Sequence, residues 1–360
     1  MAADEVCPMK GGDGPNSYAK NSTYQKAAVD AAKELVSKAI AENLDLEFLL
    51  ASSSTFHIAD LGCSIGPNTF WAVDNILEAV KLKIQGMKKS PMTLEFQVFF
   101  NDHAPNDFNM LFKSLPMNRQ YYAAGVPGSF YGRIFPKNSL HFVHSSTAIH
   151  WLSRVPKAVV DRTSPAWNKG KIQFSHSSDE VIRAFEAQFA EDMECFLNAR
   201  AHEIVHGGLM ALIVPGRPDG TPHSKSSLNV IYHILGSCLM EMARKGVVSE
   251  EKADGFNIPM YYMSPQELKA TVELNGSFTI ECMENLPRLS TIDDVTESAE
   301  LVASHVRAVT EGLFQQQFGD EILDELYDLY LTKLEEQPSI FDPTKAINFL
   351  LVLKRQGKLI

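Results

Sequence analysis

From Ser22 to Ala41 apolar residues return every three or four positions, at Ala28, Ala31, Leu35, Val36, Ala39 and Ile40. That spacing predicts an amphipathic helix, because it gathers one apolar stripe along a 3.6-residue turn. A two-state alternation follows. Short apolar runs, "FHIADL", "LEFQVFF" and "SLHFVHSS", read as strands, while Phe70, Val73, Ile76, Leu77 and Val80 mark a helix over 70–84 and "DFNMLFKSL" a helical turn. Residues 179–204 carry Val181, Ile182, Phe185, Phe189, Met193, Phe196 and Leu197 on one stripe. Gly207 and Gly208 are expected to stop that helix and to feed the strand "LMALIV". Late strands are predicted at "FTIECM" and "INFLLVLK", the last a candidate for antiparallel pairing. The repeated strand–helix order implies an α/β fold whose mainly parallel sheet is covered on both faces.

Beyond Pro215 the pattern shifts to helices, at roughly 226–245, 264–274, 298–318 and 320–336, too many to be simple crossovers. They predict a helical layer over the carboxyl ends of the strands, where open α/β sheets bind ligands. Residues 1–21, rich in Gly, Asn, Asp and Ser, predict an irregular arm that Tyr18 and the nearby Tyr24 can anchor. No internal repeat is visible.

Composition narrows the partners. A chain of 360 residues, 45% hydrophobic, can bury a large core, either as one domain or with a second, smaller layer. Its net charge of -11 argues against nucleic acid or an anionic membrane as the main partner. The basic pairs Lys88–Lys89 and Lys354–Arg355 read as solvated element ends. Five dispersed cysteines suggest neither a disulfide framework nor a thiolate zinc site. The acidic N-terminus lacks an apolar signal core, and no run approaches the roughly eighteen apolar residues of a membrane span. A cytoplasmic protein is the expectation.

The stretch "HIADLGCSIGPNTF", 57–70, carries the first chemical signal. A dinucleotide fingerprint beginning at Gly62 wants glycine at positions 64 and 67, where Ser64 and Pro67 stand, and Gly66 comes one place early. Asn68 and Thr69 replace the lysine and hydroxyl of a phosphate loop. What remains is a strand–turn–helix corner with Asp60 at the strand end, either a nucleotide-like cofactor site or a structural turn. "FFND" puts Asp102 at the end of the next strand. Two such carboxylates suit hydrogen bonds to a ligand's hydroxyl or amino groups, or the capping of a helix or turn. "GVPGSFYG", 125–132, is a glycine-interrupted turn that can set Ser129 and Phe130 beside a planar ring.

In "HSSTAIHWLS" the indole of Trp151 only donates, and Gln25 likewise offers an amide N–H₂. Both suit a carboxylate or carbonyl oxygen, or ordinary packing. His150 reads equally as a general base, a satisfied core histidine or a shape-determining donor. "DGFN", 254–257, together with Asn168, has the oxygens for Mg²⁺ but also the composition of a turn.

Taken in order, "MKGGDGPNSYAKNSTYQ", "IADLGCSIGPNTF", "FQVFFNDHAPNDFN", "GVPGSFYGRIFPKNSLHFVHSS", "HWLSRVP" and "DGFNIPMY" resemble the plant SABATH methyltransferases, which methylate small carboxylic acids and, in one branch, purine-alkaloid nitrogens. The resemblance covers nearly the whole chain. It implies a Rossmann-like methyltransferase fold with a seven-stranded sheet, an α-helical cap, S-adenosylmethionine as donor (S-adenosylhomocysteine as product) and a homodimer. The core is expected at 1–214 plus 276–284 and 346–356, and the cap at 215–275 and 285–345. Carried over, Tyr18, Ser22, Asp60, Cys63, Asn68, Asp102, His103, Ser129 and Phe130 surround the donor, with His103 standing where many relatives carry leucine. Gln25 and Trp151 match the pair that holds the carboxylate, and His150 a position that varies with substrate. Thr147, where tyrosine is common, opens the acceptor pocket, and Ile231, Tyr232 and Met260 are expected on its far wall. Asn168, Asp254, Phe256 (by its carbonyl) and Asn257 match a magnesium site of some relatives. A methyl ester of a terpenoid, aromatic or hormone-like acid is the expected product; purine N-methylation, a non-catalytic acid receptor and an NAD-dependent oxidoreductase are the competing readings.

Overall fold

Strands β1 (Thr55–Leu61), β2 (Glu95–Asp102), β3 (Tyr122–Pro127), β4 (Leu140–Ser146), β5 (Ile204–Gly216), β6 (Phe278–Asn285) and β7 (Ile347–Arg355) form a single sheet in the order β3-β2-β1-β4-β5-β7-β6. The computed structural model describes residues 8–50, 54–87, 94–287 and 295–357. Strands β1 to β5 pair in parallel, and β7 runs antiparallel to both of its neighbours. The expected seven-stranded Rossmann-like sheet is therefore present, with its antiparallel strand at the C-terminal end of the chain.

The helices are α1 (Thr23–Asn43), α2 (Leu46–Leu49), α3 (Pro67–Gln85), α4 (Phe108–Lys113), α5 (Lys157–Val160), α6 (Asp179–Glu203), α7 (Ser227–Arg244), α8 (Glu250–Asp254), α9 (Pro265–Asn275), α10 (Val295–Phe318) and α11 (Leu323–Glu335). On one sheet face α1 and α3 press Val36, Ile40, Val73 and Val80 onto Ile58, Val98 and Val352. On the other, α6 sets Phe185, Met193 and Leu197 against Val143, Leu212 and Leu351. Each such side chain contributes about 1.5–3 kcal/mol when it leaves water. A third apolar cluster joins α7, α10 and α11 through Leu235, Leu239, Val306, Phe314, Leu326 and Tyr330. This is the helical layer.

Four sequence expectations change. The expected turn over 125–132 is shorter, because residues 125–127 belong to the edge strand β3, paired with β2 from Gln97↔Tyr122 to Asp102↔Pro127. An edge strand has one partner and stays half exposed, so "YAAGVP" needs no apolar run. Gly207 and Gly208 do not stop α6, which ends at Glu203; they lie within β5, where the register shifts between Leu140 and Phe142. Gly207 has φ +78, and a Cβ on Gly208 would fall 2.9 Å from the His141 carbonyl oxygen, so the glycines serve the strand's irregularity. Helix α9 does not join the helical layer. Its Leu268 and Val272 pack into the sheet-face core with α6. Lys88–Lys89 and Cys7 lie outside the described residues, and Arg355 is no solvated end: its Nε donates to the Ala201 carbonyl at 2.7 Å.

Candidate active site

The glycine corner closes the end of β1. Gly62 adopts φ +77, and a Cβ there would sit 2.5 Å from that of Ala148, so only glycine lets this turn approach the segment after β4. Gly62 and Cys63 N–H both donate to the Asn101 carbonyl, at 2.9 and 3.0 Å, tying β1 to β2. Ser64 follows at φ +51, a conformation non-glycine residues hold only when their surroundings fix it. Asp102 supplies that fixation: its Oδ2 accepts the Ser64 N–H at 2.7 Å and its Oδ1 the His103 N–H at 2.8 Å. Burial raises the Asp102 carboxyl pKa above its ordinary value, against the pull of those two N–H groups.

Tyr18, Gly62, Ser64, Asp102, His103, Phe130 and Trp151 line a narrow pocket above this corner. The His103 and Phe130 rings stand 6.4 Å apart and 34° from parallel, two planes on one wall. The Ser64 hydroxyl is buried there without a partner. The other expected donor residues, Ser22, Asp60, Cys63, Asn68 and Ser129, line neither this pocket nor the larger one beside it, and each has a partner within the protein. Asp60 takes the Thr69 hydroxyl and meets His144 Nδ1 at 2.7 Å; Asn68 Nδ2 donates to the Ser22 carbonyl at 3.1 Å and its Oγ at 3.0 Å. Burial pushes the Cys63 thiol up, so it stays protonated. Ser129 Oγ accepts from the Tyr131 N–H at 3.4 Å.

The loop carrying Phe130 is clamped by α6. Arg200 donates to the carbonyls of Phe130 and Gly132 at 2.9 and 3.0 Å, and Glu203 accepts the N–H groups of Ile134 and Phe135 at 2.6 and 2.9 Å. The two charges meet at 2.6 Å, both fully buried. The N-terminal arm closes the pocket from the other side. Lys10 N–H bonds the Ala308 carbonyl at 2.9 Å and its ammonium reaches Glu311 at 2.7 Å, while Gly12 N–H donates to Asp107 at 3.1 Å.

A second cavity of about 540 Å³ adjoins the first beneath the helical layer. Gln25, Thr147, His150, Tyr232 and His305 line both, and so form the junction. Thr147 is held at φ +51 by its N–H bond to the Ile213 carbonyl at 2.8 Å. His150 stacks on Tyr262 at 5.0 Å, and its Nδ1 is buried without a partner. Burial drops the His150 pKa to about 3 and that of His305 to about 4, leaving both imidazoles neutral at neutral pH. Gln25, buried on α1, sets its Nε2 3.4 Å from His305 Nδ1, and its Oε1 has no partner. Trp151 lies in the narrow pocket, its backbone bridged to Met260.

Ile231 and Tyr232 face the larger cavity as expected of a far wall. Met260 lines neither cavity; its sulfur accepts from the Tyr262 hydroxyl at 3.7 Å, and Tyr262 takes the wall position instead. His305, Tyr24 and Tyr262 were not legible beforehand. His305 sits within a long helix with no motif around it, and meets Gln25 across 280 residues.

Asn168, Asp254 and Asn257 do converge, but through direct bonds. Asn168 Nδ2 donates to Asn257 Oδ1 at 2.7 Å, Ser177 donates to Asn168 Oδ1 at 2.5 Å, and Asp254 Oδ1 accepts the Gly170 N–H at 2.9 Å. The group left unpaired is Asn257 Nδ2, a donor, which has the wrong polarity for a cation. With Phe256 buried beside them, this arrangement does not fit Mg²⁺. Among the described residues no three His, Cys, Asp or Glu cluster as metal ligands, and no helix is long and apolar enough to cross a membrane.

Comparison with known proteins agrees with this geometry. The family of SAM-dependent carboxyl methyltransferases matches residues 4–356. A loganic acid O-methyltransferase of Catharanthus roseus is 46% identical over 360 residues, covering 99% of this chain and 96% of the relative. A farnesoic acid carboxyl-O-methyltransferase of Arabidopsis thaliana is 42% identical (96% and 98% covered), and a 3,7-dimethylxanthine N-methyltransferase of Camellia sinensis 40% (91% and 90%). A solved loganic acid methyltransferase with S-adenosylhomocysteine superimposes at a TM-score of 0.91, with 46% identity and 98% and 99% coverage. The chain thus belongs to the S-adenosylmethionine-dependent carboxyl methyltransferases, and it is an enzyme that methylates a small carboxylic acid.

Proposed function

We propose that this enzyme forms the methyl ester of a largely apolar terpenoid or aromatic acid, with the acid's body in the larger cavity and its carboxylate at the junction. The observation that carries the reading is the junction itself, where two cavities meet at Gln25, His150 and His305, the two imidazoles being only weak bases with pKa values of about 3 and about 4. A carboxylic acid, with a pKa of about 4–5, is already ionised at neutral pH and needs no base. S-adenosylmethionine, bound in the narrow pocket, supplies an already activated methyl group. The protein's own task is alignment and exclusion of water. Gln25 and Trp151 donate hydrogen bonds to the carboxylate, while Tyr18, Asp102, His103 and Phe130 hold the donor. Ile231, Leu228, Val302 and Phe341 give the larger cavity its apolar wall.

Loganate and farnesoate are substrates named for relatives, and both are candidates for this cavity. Purine N-methylation fits less well, because removing a ring N–H calls for a base, and imidazoles with pKa values of about 3 and 4 are poor ones. The test is methyl transfer from labelled donor to a panel of farnesoate, loganate, cinnamate, salicylate, jasmonate, indole-acetate and xanthines. Labelled ester from an acid is expected. Label in xanthines alone, or acid binding without transfer, overturns the reading.

The family resemblance supports a homodimer, which sedimentation equilibrium tests; a monomer at assay concentration removes it. Magnesium retains a place only as a structural ion that rearranges the Asn168–Asn257 contact, since in-line transfer to an anion leaves no charge for a Lewis acid to neutralise.

A further inference from the structure

We propose that Tyr131 is a positioning residue that sets the backbone of Trp151, and so couples the loop at the donor pocket to the indole that meets the acid. The inference rests on the reading that Trp151 donates to the acceptor's carboxylate. Phe130 and Tyr131 are consecutive, and Phe130 lines the narrow pocket. Tyr131 is buried beside it, with the two rings 4.8 Å apart and both against Phe196 of α6, at 5.9 and 6.5 Å. The Tyr131 hydroxyl donates to the Trp151 carbonyl and lies 3.4 Å from that of Ile149. A carbonyl oxygen only accepts, so the direction of the bond is fixed. Burial raises the phenol pKa well above its ordinary value, so the hydroxyl keeps its proton.

The bond falls on a group that the facing chain segment does not serve. Tyr261 N–H donates to the His150 carbonyl at 2.8 Å, and Leu152 N–H to the Pro259 carbonyl at 2.7 Å. Trp151, bridged to Met260 between those bonds, is the residue whose own N–H and C=O point away from that segment. Its N–H turns back to the Ala148 carbonyl at 3.0 Å, and its C=O goes to Tyr131. Further along, the Ser153 N–H and hydroxyl donate to Asp192 of α6 at 2.8 and 2.6 Å. Helix α6 therefore holds both parties: Asp192 the segment after Trp151, and Arg200 and Glu203 the loop from Phe130 to Phe135. Because that clamp grips the loop's backbone, loss of the Tyr131 hydroxyl leaves Phe130 in place and releases the Trp151 peptide.

The experiment joins a double-variant cycle to a spectroscopic measurement. Tyr131→Phe keeps the ring and removes the hydroxyl. We expect it to lower kcat for the best acid of the panel about tenfold, while binding of S-adenosylhomocysteine stays within about twofold. Added to Trp151→Ala, the same substitution should change kcat by no more than about twofold, because a residue that acts through another has nothing left to act on. Full kcat in Tyr131→Phe, or losses that multiply in the double variant, overturns the proposal. The second readout needs no acid. In ¹⁵N-tryptophan-labelled enzyme, the Trp151 indole signal, assigned by its loss in Trp151→Ala, should shift or broaden in Tyr131→Phe, while those of Trp71 and Trp167 stay as they are. An unmoved Trp151 signal also overturns the proposal. Should the wild-type enzyme esterify no acid, or Trp151→Ala turn over normally, the reading of the carboxylate fails, and the indole signal alone then decides whether Tyr131 sets Trp151.

Discussion

At the carboxyl ends of β1 and β2 the polar side chains mostly satisfy one another, whereas at the junction with the larger cavity they do not. Asp60 has Thr69 and His144, Asn68 has Ser22, and Asp102 has two backbone N–H groups. A few residues away Gln25 Oε1 and His150 Nδ1 are buried with no partner. A buried group left unpaired costs about 1–3 kcal/mol, and because Gln25 Oε1 only accepts, the deficit there is relieved by a donor group on the ligand's body and not by an ionised carboxylate. The donor side is largely built before any ligand arrives, with the Ser64 hydroxyl and Asn101 Oδ1 left for one to meet. The acceptor side is completed by its ligand, and its apolar walls tolerate a change of ligand more readily than the corner would.

The comparison breaks most visibly at Gly62. Gly62→Ala forces a Cβ toward Ala148 at φ +77, adding about 1–2 kcal/mol for the left-handed backbone and about 1–3 kcal/mol for overpacking. S-adenosylhomocysteine affinity measured by titration calorimetry should fall about a hundredfold, at about 1.4 kcal/mol per tenfold, together with a lower Tm. Unchanged affinity would show that the corner is not rigid.

Trp151→Ala should act on the other side of the divide. We expect kcat at saturating donor to fall about tenfold, because a misplacement of about 1 Å suffices for that loss, with donor affinity altered far less. Normal turnover would remove Trp151 from the alignment of the carboxylate.

Acid should sharpen the contrast further. His150 and His305 titrate near 3 and 4, and His141, His176 and His223 near 4, all below the ordinary 6.5 because burial penalises their charged forms. Unfolded, each takes a proton near pH 6.5; folded, it resists. The stabilisation is complete above pH 6.5 and is lost as pH falls toward about 4. Calorimetric Tm should decline across that window, and His150→Gln should flatten the decline. A Tm independent of pH there would mean that these rings are not buried neutral.

The smallest effect is reserved for metal. Chelator should leave turnover within about twofold of the untreated enzyme, since no catalytic step needs a Lewis acid. Complete loss restored only by Mg²⁺ would show that the Asn168–Asn257 contact opens around an ion.

The sheet was legible because its strands and helices carry unbroken periodicities, as in Phe185, Phe189, Met193 and Phe196 on α6. β3 was not, because a half-exposed edge strand needs neither an apolar run nor alternation. The donor corner was partly legible: Asp102 and Phe130 reach the pocket, but Asp60 and Asn68 are occupied by partners that only the tertiary fold supplies. His305 escaped altogether, because nothing local on α10 separates a histidine that touches Gln25 from one that faces solvent. Met260 and Tyr262 show the same limit at two-residue range, since an irregular segment has no period from which to infer which side chain faces the cavity.

The ion pair between Arg200 and Glu203 bears on which mutational routes are open to this chain. Each charge is fully buried, and each holds backbone groups of the loop that carries Phe130. Replacing either one alone strands its partner at a cost of about 3–5 kcal/mol, against a typical total stability of about 5–15 kcal/mol. Drift through single substitutions is therefore nearly closed at these two sites, and an exchange has to pass through a simultaneous or compensated pair. No such toll guards Ile231 or Thr147, where one altered codon can reshape the acid's berth while the loop that grips the methyl donor stays as it was.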